Sequence, residues 1–203
     1  MHSLDILAYV VIGVILGVCI FIYLSKLEGF DGLKCIISSK DSNTYCVRDG
    51  TVARQEKAAN LLATVTEKCR HLVRFVQENY GDKENVKRLV AGFNPQKVME
   101  TLPTSTLTAY SENKGEKIAF CLNKKKDDDS NLIDEHTLTF VAIHELSHVA
   151  TKSIGHKSEF WENFRFLLEK AKEANIHDPA NYKESPKEYC GMSITDNPFY
   201  DMK

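Results

Sequence analysis

The chain has 203 residues, room for one ordinary domain rather than two. Its 43% hydrophobic and 27% charged content is that of a globular protein and excludes a disordered one. A formal net charge of -2 and a pI near 6.4 exclude a general attraction to polyanions, so no nucleic-acid partner is expected.

Ile6 to Leu24 is an uncharged run dense in Val, Ile, Leu and Phe. At 1.5 Å per residue it spans roughly 28 Å, close to the hydrocarbon thickness of a bilayer. Tyr9 and Tyr23 lie near its ends, where amphipathic rings favour the interface. A cleaved signal peptide is the rival, but the run lacks a basic stretch before it and a small-x-small site after it. The expectation is a single-pass membrane anchor over 1–25. Lys26, Lys34 and Lys40 follow the run and no Lys or Arg precedes it, which puts the rest of the chain on the cytoplasmic side. Gly13 and Gly17 form a G-x-x-x-G through which two such helices would pair as a homodimer.

Residues 26–50 are rich in Gly, Ser, Asp and Asn and read as a linker, with one short strand around Leu33–Ile37. The domain proper is expected over 51–203. A helix is predicted from Thr51 to Tyr80, because Ala58, Leu61, Leu62, Val65, Cys69, Leu72 and Val76 recur at threes and fours, with Gly81 to cap it. A shorter helix covers Glu84 to Ala91 and ends at Gly92. The cysteines at 19, 35, 46, 69, 121 and 190 contain no C-x-x-C and read as reduced thiols, although Cys35 and Cys46 would bridge in an oxidising compartment.

Ser105–Tyr110 and Lys117–Leu122 are rich in Thr, Leu, Ala, Ile and Phe, with Asn113-Lys114-Gly115 between them, and predict a β-hairpin. An edge strand of such a hairpin is a place where a peptide backbone adds by strand pairing. Lys124 to Asp129 is a charge run expected as a solvated loop.

His144-Glu145-Leu146-Ser147-His148 is an H-E-x-x-H inside an apolar helical run expected from Asp134 to Thr151. At 3.6 residues per turn the two histidines share one helix face and can close on one zinc ion, with Glu145 beside the open coordination position. The bland alternative is a helix with two incidental histidines. Gly155 lets the chain turn back, which would bring His156 round as a third nitrogen; Glu159, one helical turn further on, is the other candidate ligand. A second helix from Ser158 to Asn175 carries Phe160, Trp161, Phe164, Leu167 and Leu168, with Trp161 expected as a core anchor behind the metal. His136 reads as a surface residue, and His177 as a helix cap or a cleft residue.

The run HELSHVATKSIGHKSEFWENFRFLLEKA resembles the zincin metallopeptidases of the WLM and SprT-like group. The stretch from about Tyr45 to Pro198, including ENKGEKIAFCL and YCGMSITDNP, is similar to WLM-like proteins encoded by large DNA viruses. The resemblance implies a compact α+β domain, helices around a small sheet, with zinc on His144, His148 and His156 and Glu145 as general base. It implies hydrolysis of peptide bonds in a protein or peptide substrate. That chemistry needs a further donor for the oxyanion, which the sequence does not fix; Tyr189, Tyr182 and His177 lie in the right part of the chain for it. The spacing from His148 to His156 is longer than in metzincins. Extra segments of the kind that bind DNA, ubiquitin or chaperones in crosslink-repair members are missing from the sequence. Two alternatives stand beside the peptidase: a non-catalytic zinc-binding adaptor tethered to a membrane, and a DNA–protein crosslink repair protease.

Overall fold

A computed structural model describes residues 2–28, 32–125 and 131–201, with side chains described only for 8–21 within the first helix. The architecture is α+β. Residues 126–129 of the predicted solvated loop fall outside the described residues.

The first helix, α1 (His2–Glu28), exposes every described side chain, from Tyr9 at 75% to Phe21 at 72%. Those described positions, 8–21, extend about 21 Å. Among the described residues no helix is long and apolar enough to cross a membrane.

Within the linker expected over 26–50, the expected strand is present as β1 (Leu33–Ile37), and it pairs with an unexpected β2 (Thr44–Arg48) in an antiparallel hairpin. It belongs to the domain because Tyr45, Val47 and Arg48 are buried. Arg48 donates to the backbone carbonyl of Thr101, and its own N–H donates to the Glu100 carboxylate. Arg54 clamps the same carboxylate from the following helix. A buried Glu is tolerable only when paired this fully. The linker composition was misleading because the Gly, Ser and Asn residues build the hairpin ends while alternate strand positions go inward. Cys35 and Cys46 are cross-strand partners in this hairpin and are joined as a disulfide.

Helix α2 (Val52–Tyr80) starts at Thr51, whose side chain accepts from the Arg54 N–H, and buries the predicted stripe. Gly81 has φ -64, so the helix ends without the left-handed glycine cap expected there. After α3 (Glu84–Gly92), β3 (Val98–Glu100), β4 (Ala109–Glu112) and β5 (Lys117–Phe120) form a sheet in the order β3-β5-β4. β4 is antiparallel to β5 and β3 is parallel to it. The predicted hairpin is present with its first strand beginning at Ala109 rather than Ser105, and β4 is an edge strand.

Helix α4 (Glu135–Ala150) is the centre of the domain. Asp134 caps it by accepting from the Thr137 N–H at 2.8 Å. Leu138, Phe140, Val141, Ile143, Leu146 and Val149 are buried, so most of its circumference is inside, packed among α2, α3, β4 and α5 (Ser158–Glu173). The chain closes with a small hairpin, β6 (Lys187–Tyr189) and β7 (Met192–Ile194). A second disulfide, Cys121–Cys190, ties this hairpin to the end of β5. Cys35–Cys46 is the bridge the sequence left open, Cys121–Cys190 departs from the reading of reduced thiols, and Cys19 and Cys69 are free.

Candidate metal centre

α4 places His144 and His148 one turn apart at the edge of the core. The α4–α5 connection turns at Gly155, which has φ +80, and returns His156 to them. His156 Nε2 lies 3.1 Å from Nε2 of His144 and 3.1 Å from Nε2 of His148. Nitrogens at about 2.05 Å from a tetrahedral zinc stand roughly 3.3 Å apart, so the three donors fit one such ion. Among the described residues they form a group whose donor atoms lie close enough together to hold one metal ion. Burial, then the neighbouring rings, lowers His144 to about 3; burial first also lowers His148 to about 4. Both are therefore neutral imidazoles near pH 7, the form that ligates metal.

The rings rest on a single side chain. Phe160, wholly buried, has its ring centroid 4.9 Å from His144, 4.3 Å from His148 and 4.6 Å from His156. The sequence marked Phe160 as a core residue of the second helix; its role as a floor for all three histidines comes from the return of the chain at Gly155. Trp161 is 45% exposed rather than a core anchor behind the metal. Its indole N–H donates to the His156 carbonyl at 3.2 Å, and its ring flanks His156 at the cleft mouth.

Glu145 is 4% exposed and faces the same cleft as the histidines. Burial lifts its carboxyl to about 8, and a cation at the histidines would draw it back down. Glu159 is directed elsewhere. Its carboxylate accepts from the backbone N–H groups of Lys152 and Ser153 and pairs with Arg88 at 3.2 Å, so it braces the returning loop instead of offering a ligand.

The predicted oxyanion donors separate. Tyr189 lines the cleft, but its hydroxyl donates to the Thr108 carbonyl at 3.0 Å. Tyr182 is buried against Phe140 and does not line the cleft. His177 lies in a separate depression, its ring 4.3 Å from that of His136. His136 is at the surface as expected, its Nε2 2.7 Å from the Asp178 carbonyl.

Two residues unmarked by the sequence reading brace the site. The Lys114 ammonium donates to the carbonyls of His148, Thr151 and Ser153. Arg88 donates to the Ala150 carbonyl while holding Glu159. A lysine in a hairpin turn and an arginine on a polar helix face carry no sequence signal of this kind.

No family model matches the chain. It is 26% identical over 196 residues to the uncharacterized protein R325 of Acanthamoeba polyphaga mimivirus, covering 93% of this chain and 97% of that one. It is 34% identical over 82 residues to the uncharacterized protein 136R of Invertebrate iridescent virus 6, covering 40% of this chain and 44% of that one. A crystal structure of Wss1 from Saccharomyces cerevisiae is similar over 64% of this chain and 87% of that chain, with TM-score 0.46 and 18% identity. At that score the likeness carries no argument, and the functional reading rests on the side chains.

Proposed function

We propose that the chain is a zinc-dependent peptidase of the WLM-like zincin type, tethered to a membrane through residues 6–24. The observation that carries the reading is the convergence of His144, His148 and His156 within zinc distance beside a buried Glu145, at the bottom of an open cleft. When bound, zinc serves as a Lewis acid on the scissile carbonyl and brings a water toward deprotonation near neutral pH. Glu145 takes the proton of the attacking water and returns it to the leaving amine. Its burial keeps the carboxylate unsolvated and basic enough for that exchange.

The cleft also supplies a way to hold a backbone. In an antiparallel pair, alternate residues turn their N–H and C=O groups to the partner. The Cys121 N–H donates to the Thr108 carbonyl, which puts Thr108, Tyr110 and Glu112 in the paired set. Ala109 and Ser111 then present their backbone groups on the open edge of β4, and both line the cleft. An extended peptide adding there lies beside the histidines.

The anchor reading rests on the uncharged run Ile6–Leu24 and on the helical form of α1, with its exposed apolar side chains. Gly13 and Gly17 meet nothing within 4 Å and leave that helix face open to a second copy. Two disulfides favour an oxidising compartment for the domain, against the side indicated by Lys26, Lys34 and Lys40. Covalent pairing at two separate places outweighs a bias of three lysines. The cleft's charged lining outside the histidines and Glu145 is Lys114 and Asp196, of opposite sign, which supports a protein substrate without nucleic acid.

Full-length protein in detergent, assayed for metal and for cleavage of a denatured protein, tests the reading. About one zinc per chain is expected. Glu145→Gln should keep the zinc and lose about 10²–10⁴ in rate. Equal inertness of wild type and Glu145→Gln at full zinc occupancy would overturn the peptidase and leave the adaptor.

A further inference from the structure

The cleft has a volume of about 720 Å³, and away from the histidines its walls are apolar: Phe140, Val141 and Phe164 on one side, Met192, Ile194 and Pro198 on the other. At its mouth Ile154 is 85% exposed, Trp161 45% and Met192 49%. Large apolar side chains held in the open around one concavity mark a surface made to be covered. Outside the histidines and Glu145, its charged groups are already engaged. The Lys114 ammonium is spent on three carbonyls, Asp196 pairs with Lys183 at 3.1 Å, and the Tyr189 hydroxyl is spent on Thr108. A charged side chain entering between Phe140, Phe164 and Met192 would leave water for an apolar wall that offers it no counter-charge.

We infer that the cleft selects extended polypeptide segments carrying a bulky aliphatic or aromatic side chain next to the bond beside Glu145, which makes unfolded or partly unfolded proteins the substrate class. This deepens the peptidase reading and rests on it for the position of the cut. The open edge of β4 takes only extended backbone, and along a strand every second side chain falls on one face. One of those side chains meets the Phe140, Phe164 and Met192 walls. Leu, Ile, Met and Phe are the residues that native proteins keep inside, so such a segment is offered only where a fold is open.

Trp161 is the sole tryptophan of the chain, so its emission reports the cleft alone. The test has two arms, both on the full-length protein in detergent. Zinc-loaded wild type is given a randomised peptide library and the cuts are read by mass spectrometry. Glu145→Gln is titrated with one extended peptide whose central residue is Phe, Asp or Lys, following Trp161 emission. The inference expects Leu, Ile, Met or Phe enriched at least about tenfold over Asp and Lys at one position flanking the cut. It also expects an emission change with the Phe peptide at concentrations where the Asp and Lys peptides give none. Met192→Asp, an exposed change on β7, should raise KM for Phe peptides several-fold with a smaller effect on kcat. Cutting without such enrichment overturns this inference and leaves the peptidase standing. Selective binding of the Phe peptide with no cutting by wild type overturns the peptidase and keeps the cleft's selectivity. Neither cutting nor an emission change overturns both.

Discussion

The Lys114 ammonium lies 2.7 Å from the Thr151 carbonyl, joining the β4–β5 turn to the end of the helix that carries His144 and His148. Two more carbonyls, of His148 and Ser153, share the same ammonium, so one side chain serves three carbonyls at and just beyond the C-terminal end of α4. Lys114 itself has φ +56, a conformation that costs a non-glycine residue about 1 kcal/mol. Three charge-assisted bonds offset that cost. The β4–β5 hairpin and α4 are thereby held in one geometry.

Lys114→Met should keep the fold and loosen this joint. The ammonium is near the surface, so the expected destabilisation is modest, about 1 kcal/mol by urea denaturation. Peptidase activity should fall by roughly tenfold, because the misplaced strand no longer presents the substrate in line with Glu145. Activity unchanged with stability reduced would show that Lys114 serves α4 alone.

Removing the floor beneath the histidines separates ligand from support. Phe160→Leu keeps an apolar side chain but loses the three ring contacts, and zinc affinity should drop roughly tenfold, as for other outer-shell changes. His156→Ala should empty the site outright. Glu159→Gln should leave one zinc per chain. Competition with a chromophoric chelator measures all three, and zinc loss in Glu159→Gln comparable to His156→Ala would restore Glu159 as a ligand.

Acid should destabilise the domain partly through His177. Burial first, then the neighbouring His136 and Lys68, lowers its imidazole to about 3, with Asp178 opposing. Both ring nitrogens are buried without a hydrogen-bond partner among the described residues. Below its ordinary value of about 6.5 the unfolded chain takes a proton that the folded chain refuses. This contribution is complete above pH 6.5 and is lost as the pH falls from 6.5 toward 3, at up to about 1.4 kcal/mol per pH unit. In metal-free protein, His177→Leu should show a shallower loss of stability from pH 6.5 to 4 than wild type. Parallel curves would remove His177 from the account.

The disulfides predict both chemistry and placement. Alkylation in denaturant without reductant, read by intact mass, should modify Cys19 and Cys69 and spare the other four. Loss of Cys121–Cys190, which closes a separation of 69 residues, should cost about 4 kcal/mol. In sealed vesicles whose outer face is the cytosolic one, added protease should leave the domain intact. Digestion there, with all six thiols free, would return the domain to the cytoplasmic side.

The sequence determined whatever is periodic or local in this protein. The apolar stripe of α2, the cap at Asp134 and the spacing of His144 and His148 follow from 3.6 residues per turn and from the chemistry of helix ends. Gly155 announced a turn because a left-handed residue is cheapest as glycine. Only the tertiary structure decided what depends on contacts between distant segments. Residues 26–50 read as a linker with one strand around Leu33–Ile37, and only the burial of Tyr45, Val47 and Arg48 makes them part of the domain; Cys121 found Cys190 across 69 residues. The path of the seven residues between His148 and His156, which no periodicity fixes, brings His156 to the other two histidines and turns Glu159 toward the backbone of Lys152 and Ser153. Lys114, Phe160 and Tyr189 acquired their roles in the same way: each is an ordinary residue of its own segment, and its partner lies elsewhere in the chain.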